Sequence, residues 1–231
     1  MKKYALKHPV IFEIILIVAS LVITVAVSIP LQVFYLSNEL TMAFARIITG
    51  GALFIVFLYC FNPRKQFSSF PIILPGFLFA LWNVANCFMS SGNIEVPTIE
   101  MFIQAIAPAV FEEVIFREIF IYHLKENGQN QLMCTLISAA VFSLIHLTNA
   151  VGASMIQTFI QVGYAFVIGL VFGAIYTKSD DLISLIIVHC SIDLTSRIFT
   201  SGNAASLLVL IPFILLLIGE TVYAIKLVSN D

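Results

Sequence analysis

An all-α, polytopic transmembrane helix bundle of about eight spans is what this 231-residue sequence predicts, on three observations. Apolar residues make up 60% of the chain, charged residues only 10%, and the mean hydropathy is +1.04. Soluble domains run at roughly 45–50% apolar and about 25% charged. The apolar residues also gather into about eight runs, near 9 to 29, 40 to 61, 70 to 90, 100 to 122, 131 to 149, 154 to 176, 181 to 199 and 204 to 226. Each is close to the roughly 20 residues that cross a hydrocarbon layer. Finally, Lys2, Lys3, Lys7, Arg64, Lys65, Lys125, Lys178 and Lys226 fall on alternate connections, and the segments near 30 to 39, 91 to 99, 150 to 153 and 200 to 203 carry no Lys or Arg. The positive-inside rule then puts both termini in the cytoplasm of a multi-pass cell-membrane protein. The connections leave no room for a soluble domain, so residues 1–231 read as one unit with a motif-bearing core at about 100–199. The lipid bilayer is the expected surrounding and no nucleic acid is expected as a partner.

The elements follow in order. "MKKYALKHPV" and the apolar run after it have the outline of a secretory signal, but the run is about 20 residues against the usual 7–15. It reads as an anchoring span flanked by lysines. Pro63 follows the second span, Pro71 and Pro75 open the third, and Pro97 precedes the fourth. On the third, Asn83 and Asn86 share a helix face. The sixth carries Ala165, Gly169 and Gly173 at four-residue intervals, a small-residue stripe that lets another helix approach. Gln157 and Gln161 mark a polar face of that span, suited to interhelical hydrogen bonding or, as the alternative, to lining a substrate path. Glu13, Glu220, Arg46 and Arg197 read as boundary charges whose long side chains reach the headgroups. Cys60, Cys87, Cys134 and Cys190 lack the C-x-x-C or C-x-x-H spacing of a metal or redox site and read as small buried thiols.

The fourth span is different. "FEEVIFREIF" (111 to 120) sets Glu112, Glu113, Arg117 and Glu118 in apolar surroundings. A charge at a helix centre costs about 2.5–3.5 kcal/mol on insertion scales, which makes such residues functional candidates by default. Glu113 and Arg117 are four apart with the acid first, the favoured order for an ion pair. Glu112 is turned by about 100° from Glu113 and points elsewhere. Glu118 is left unassigned.

Two later spans supply "FSLIH", giving Phe142 and His146, and "HCSID", giving His189 and Asp193. At a rise of about 1.5 Å per residue, Glu112, His146 and Asp193 each lie roughly 18–22 Å from the cytoplasmic ends of their spans, with His189 one turn nearer. One level of the bundle thus gathers two carboxyl groups and two imidazoles from three helices. Phe142, one turn below His146, reads as packing that fixes the ring.

Glu-Glu-x-x-x-Arg, Phe-x-x-x-His and His-x-x-x-Asp, in this order on successive apolar segments from 112 to 193, resemble the three motifs of the CPBP family of intramembrane proteases. That family includes CAAX prenyl endopeptidases and bacteriocin-processing and self-immunity proteins of Gram-positive bacteria. The resemblance implies a helical bundle in which Glu112, His146, His189 and Asp193 line a catalytic cavity. It also implies an endopeptidase that hydrolyses a peptide bond of a small membrane-associated peptide or propeptide, in a bacterial member of the family.

No Ser or Cys has a convincing base; Ser191 and Cys190 lie beside His189 but off its face. An activated water is then the nucleophile, with Glu112 as general base and His146 sharing its proton. His189 and Asp193 would bind the developing oxyanion or hold a metal that does so. Two histidines and a carboxylate match the ligand types of a hydrolytic zinc site, yet no H-E-x-x-H helix occurs. A divalent metal such as zinc on Glu112, His146, His189 and Asp193 and a metal-free centre therefore both stay open. Where the family has Asn, an ionised Asp193 would repel an oxyanion, so Asp193 must be protonated, orient His189 or ligate a metal. The competing function is a non-catalytic immunity or scaffold protein that sequesters a hydrophobic peptide. A transporter is disfavoured, because neither broken helices nor an internal repeat is evident.

Overall fold

The computed structural model describes residues 8–34, 36–61, 70–151, 154–202 and 207–229. Lys2, Lys3, Lys7, Arg64 and Lys65, on which part of the orientation rests, lie outside these residues. The described residues form eight principal helices: α1 (Pro9–Leu31), α2 (Asn38–Phe61), α3 (Phe77–Met89), α4 (Ile99–Glu113), α5 (Gln131–Ile145), α6 (Met155–Ser179), α7 (Leu182–Ile198) and α8 (Leu207–Ser229). They correspond one to one with the eight apolar runs. Short helical turns at Phe70–Ile73 and Leu74–Gly76 lead into α3, and α4 continues through Val114–Ile121 into Tyr122–Glu126.

Local chemistry explains several starts. The Thr98, Asn130 and Asp181 side chains accept from the backbone N–H groups of Met101, Met133 and Ser184, and Ser154 forms a capping box with Gln157. Each such cap satisfies a backbone donor that the first turn would otherwise leave unpaired.

Five helical stretches are long and apolar enough to cross a membrane: Pro9–Phe34, Asn38–Phe61, Gln131–Ala150, Met155–Ser179 and Leu207–Ser229. The remaining three helices fall short for physical reasons. α3 is 13 residues long and α7 is 17, while α4 carries the charges of the fourth run. α4 also changes its winding, because Val114–Ile121 is a π-helix, with all eight residues buried. Such segments are uncommon and cluster at functional sites. Ser138 of α5 donates to the Phe116 carbonyl within it at 2.9 Å, so a neighbouring helix satisfies part of its backbone.

The interior is built from α4, α5, α6 and α7. The small-residue stripe faces α5: a Cβ on Gly169 would meet the Ala139 Cα at 3.0 Å, and one on Gly173 the Thr135 Cα at 3.3 Å. Ile121, Phe172, Ile175 and Leu185 complete a fully buried core. Asn83 donates to the Ile192 carbonyl and to Thr195 Oγ1, fastening α3 to α7.

At one end of the bundle two short strands, β1 (Asn93–Ile94) and β2 (Phe199–Thr200), pair antiparallel. Gly92 and Gly202 lie against the Thr200 and Ser90 carbonyls so closely that a Cβ at either position would collide with backbone. At the opposite end Lys125 bonds the Thr177 carbonyl and Asp180 Oδ1, at 3.1 and 2.8 Å, beside Lys178. The lysine-bearing connections at 125 and 178 are thus neighbours.

Three boundary charges and one thiol need correction. Glu13 and Glu220 are buried, because each lies on the face of its helix that packs into the bundle. Arg197 lines a cavity between the helices and is bonded to Gln104, whereas Arg46 lines the same cavity while remaining exposed, as a boundary charge would. Cys60 is exposed, whereas Cys87, Cys134 and Cys190 are buried.

Candidate active site

A cavity of about 430 Å³ opens among α1, α2 and α4 to α7. Glu112 from α4, His146 from the end of α5, and His189 and Asp193 from α7 all line it. Its wall runs from these side chains to Thr148 and Asn149 in the α5–α6 connection, at the end of the bundle away from Lys125. Gln161 also lines it and accepts from Asn149 Nδ2 at 2.9 Å, so this glutamine combines an interhelical bond with a place in the wall. Gln157 caps its own helix instead.

His189 is the hub. Its Nδ1 lies 2.7 Å from Glu113 Oε1, and its Nε2 lies 3.8 Å from both Glu112 Oε2 and Asp193 Oδ2. A carboxylate oxygen accepts, so Nδ1 carries the proton toward Glu113. That bond fixes the ring and directs Nε2 to the two carboxyl groups that line the cavity. Phe172 packs edge-on against the same imidazole, with centroids 5.6 Å apart.

Glu113 therefore has two partners. Beside His189 it pairs with Arg117, Nε to Oε2 3.2 Å, and both of these side chains are fully buried. The sequence pairing is present; the bond to His189 is an addition that spacing alone could not give, since it joins residues 76 apart. The arginine needs more than one carboxylate, because its Nη1 and Nη2 have no hydrogen-bond partner among the described residues. Aromatic faces supply the remainder. The guanidinium carbon lies 4.4 Å from the Phe142 centroid, 5.4 Å from Phe172 and 6.0 Å from Phe116. Desolvated cation–π contacts of this kind contribute about 2 kcal/mol. Phe142 thus does more than fix a ring: it covers the arginine, packs against the His146 ring at 5.1 Å and accepts from its Nδ1 at 3.0 Å. A carbonyl can only accept, so His146 Nδ1 carries a proton and Nε2 is its remaining ring nitrogen.

Glu118 resolves as well. Tyr176 Oη donates to its Oε2 at 2.7 Å in a buried contact, on the residue next to Arg117 and outside the cavity lining.

The donor set also bears on a metal. Among the described residues no group of three His, Cys, Asp or Glu side chains is disposed to share one ion. Glu112, His189 and Asp193 meet at one imidazole nitrogen, with His146 attached separately to Phe142. The four do not fit a three-ligand zinc site as they stand, and no step below passes through a metal.

Residues 93–195 match the family described as Rce1-like, type II CAAX prenyl endopeptidase. No curated protein and no solved structure matches the chain. The matched segment begins at β1 and ends within α7, leaving α1, α2, α3 and α8 outside it. It holds all three motifs, and over that segment this membrane-embedded helical chain is similar to the CAAX-type intramembrane proteases.

Proposed function

We propose that the protein is an intramembrane endopeptidase that hydrolyses a peptide bond of a small membrane-associated peptide or propeptide, using a water activated by Glu112. The observation that carries this reading is the convergence of Glu112, His146, His189 and Asp193 on one cavity inside a bundle of apolar helices. Glu112 removes a proton from water as the oxygen adds to the scissile carbonyl carbon. His146 Nε2 shares that proton and the carboxyl returns it to the leaving amine. His189, doubly protonated and held at Nδ1 by Glu113, donates from Nε2 to the oxyanion. Asp193, 3.8 Å from that nitrogen, balances its charge and orients it. Arg117 acts at one remove, by neutralising and placing Glu113.

Lys125 and Lys178 lie at one end of the bundle and the cavity reaches the other. Together with the basic residues near the N-terminus, this supports cytoplasmic termini and a cavity that opens toward the outer face. Leader peptides, bacteriocins and signalling propeptides are the substrate class that fits a chain with such short connections.

The test compares cells carrying the native chain with cells carrying Glu112→Gln, by mass spectrometry of membrane-associated peptides. A precursor that accumulates only in the variant, with the variant's melting temperature in detergent unchanged, is the expected result. Identical peptide profiles overturn the reading and leave the sequestering alternative. Asp193→Asn assayed with and without chelator bears on the metal: retained cleavage, insensitive to chelation, is expected.

A further inference from the structure

Two arginines share the cavity with the acidic centre, and neither is used by the mechanism. Arg197 follows Asp193 by four residues on α7, one turn or about 6 Å farther toward the β1–β2 end. Arg46 comes from α2, eight residues beyond its start at Asn38, and lines the same cavity. Arg197 is held in place: its Nη1 donates to Gln104 Oε1 at 2.6 Å, and Gln104 Nε2 donates to Glu100 Oε1 at 3.1 Å. The Glu100 carboxylate can only accept, so it turns the Gln104 amide to present its oxygen to the arginine. Arg46 is exposed where it lines the cavity, and it has no hydrogen bond or ion pair with any described residue. An arginine without an anion on a spanning segment is left to reach the headgroups or to bind a ligand.

We propose that Arg46 and Arg197 form a carboxylate-binding subsite that seats an acidic group of the peptide substrate one turn or more from the scissile bond, on the outward side of the centre. The inference rests on the peptide-hydrolysing reading of this cavity. Two guanidinium groups from different helices present planar donor forks suited to a carboxylate. Glu112 and Asp193 repel that same group from the reacting end. The substrate would therefore lie in one direction only, its acidic group outward and its scissile carbonyl at His189. Carboxylate could come from the chain terminus or from an Asp or Glu side chain, and the test separates these.

The experiment uses the full chain carrying Glu112→Gln, which binds without turnover, in phosphatidylcholine nanodiscs. Three labelled hydrophobic peptides differ only at the last position: a free terminal carboxylate, a terminal amide, and a terminal amide whose last residue is Asp. At least one carboxylate peptide is expected to bind about tenfold or more tightly than the neutral amide, the range of a charge-assisted hydrogen bond. Which of the two does so identifies the source. Adding Arg46→Gln should reduce the difference to about twofold, and Arg46→Lys should restore part of it, since the charge remains and the fork is lost. Should Arg46→Gln fail to fold, the three-peptide comparison with both arginines present still decides. Equal binding of all three peptides, no binding of any, or a preference that survives both Arg46→Gln and Arg197→Gln overturns the proposal. If the arginines hold a lipid phosphate instead, the peptides bind alike and phosphatidylglycerol raises the melting temperature only when Arg46 is present, which also overturns it. Preference without cleavage by the native chain would remove the peptidase reading and leave the subsite standing; cleavage without preference would do the reverse.

Discussion

α8 and the Val114–Ile121 segment of α4 are both apolar stretches of a membrane protein, yet they are built to opposite rules. α8 turns Leu207, Leu208, Ile211, Leu215 and Ile218 outward and buries only Glu220, Ala224 and Val228. In the π-helical segment nothing faces out: all eight residues are enclosed, with two ionisable groups among them. Lipid-facing helices satisfy their backbone internally and ask only that side chains be apolar. The inner helix answers to specific neighbours, each with a defined place. The centre sits where hydropathy is weakest as a guide, on α4 and α7, which fall outside the five stretches that qualify as spans.

The comparison breaks most visibly at Glu112. Glu112→Gln keeps the shape and removes the proposed base, so turnover of the native substrate should fall by about 10²–10⁴-fold, with the melting temperature in detergent unmoved. If activity and stability fell together, Glu112 would belong with the structural residues of the inner helix. Arg117→Met comes next. It leaves Glu113 buried beside His189 without its countercharge and should lower unfolding stability by about 3–5 kcal/mol, measured by denaturation in mixed micelles. Combining it with Glu113→Gln should recover a good part of that loss, because neutral replacement of both partners is far better tolerated. Gly169→Leu, on the stripe against Ala139, overpacks a helix contact and should cost about 1–3 kcal/mol by the same assay. Leu215→Ala on α8 should change stability by less than about 0.5 kcal/mol. A large effect there would mean that the outer face of α8 is covered by something other than lipid.

Legibility in the sequence follows the same division. All eight helices were readable, because a run of about 20 apolar residues has few other uses. Glu112 as the residue turned away from the ion pair was readable too, since helix angle alone separates it from Glu113. The bond from Glu113 to His189 was not, for it depends on how α7 settles against α4. Nor was the aromatic cover on Arg117, where Phe142 stands on one helix and Phe172 on another. The π-helix is invisible to any argument based on a 3.6-residue period. Arg197 looked like a headgroup anchor because sequence position gives depth along a helix but not the side it faces. The same limit misplaced Glu13 and Glu220, which face inward on their helices.

The wide turn at Val114–Ile121 has a consequence for anyone wishing to transplant this centre. Design practice regularises backbones and would rewind the stretch as a uniform α-helix. Such a scaffold would keep every motif letter while rotating Arg117 relative to Glu113 and the three phenylalanines around it. The portable unit is therefore the irregular backbone together with its enclosing rings, and a copied string of residues would carry over the vocabulary without the grammar.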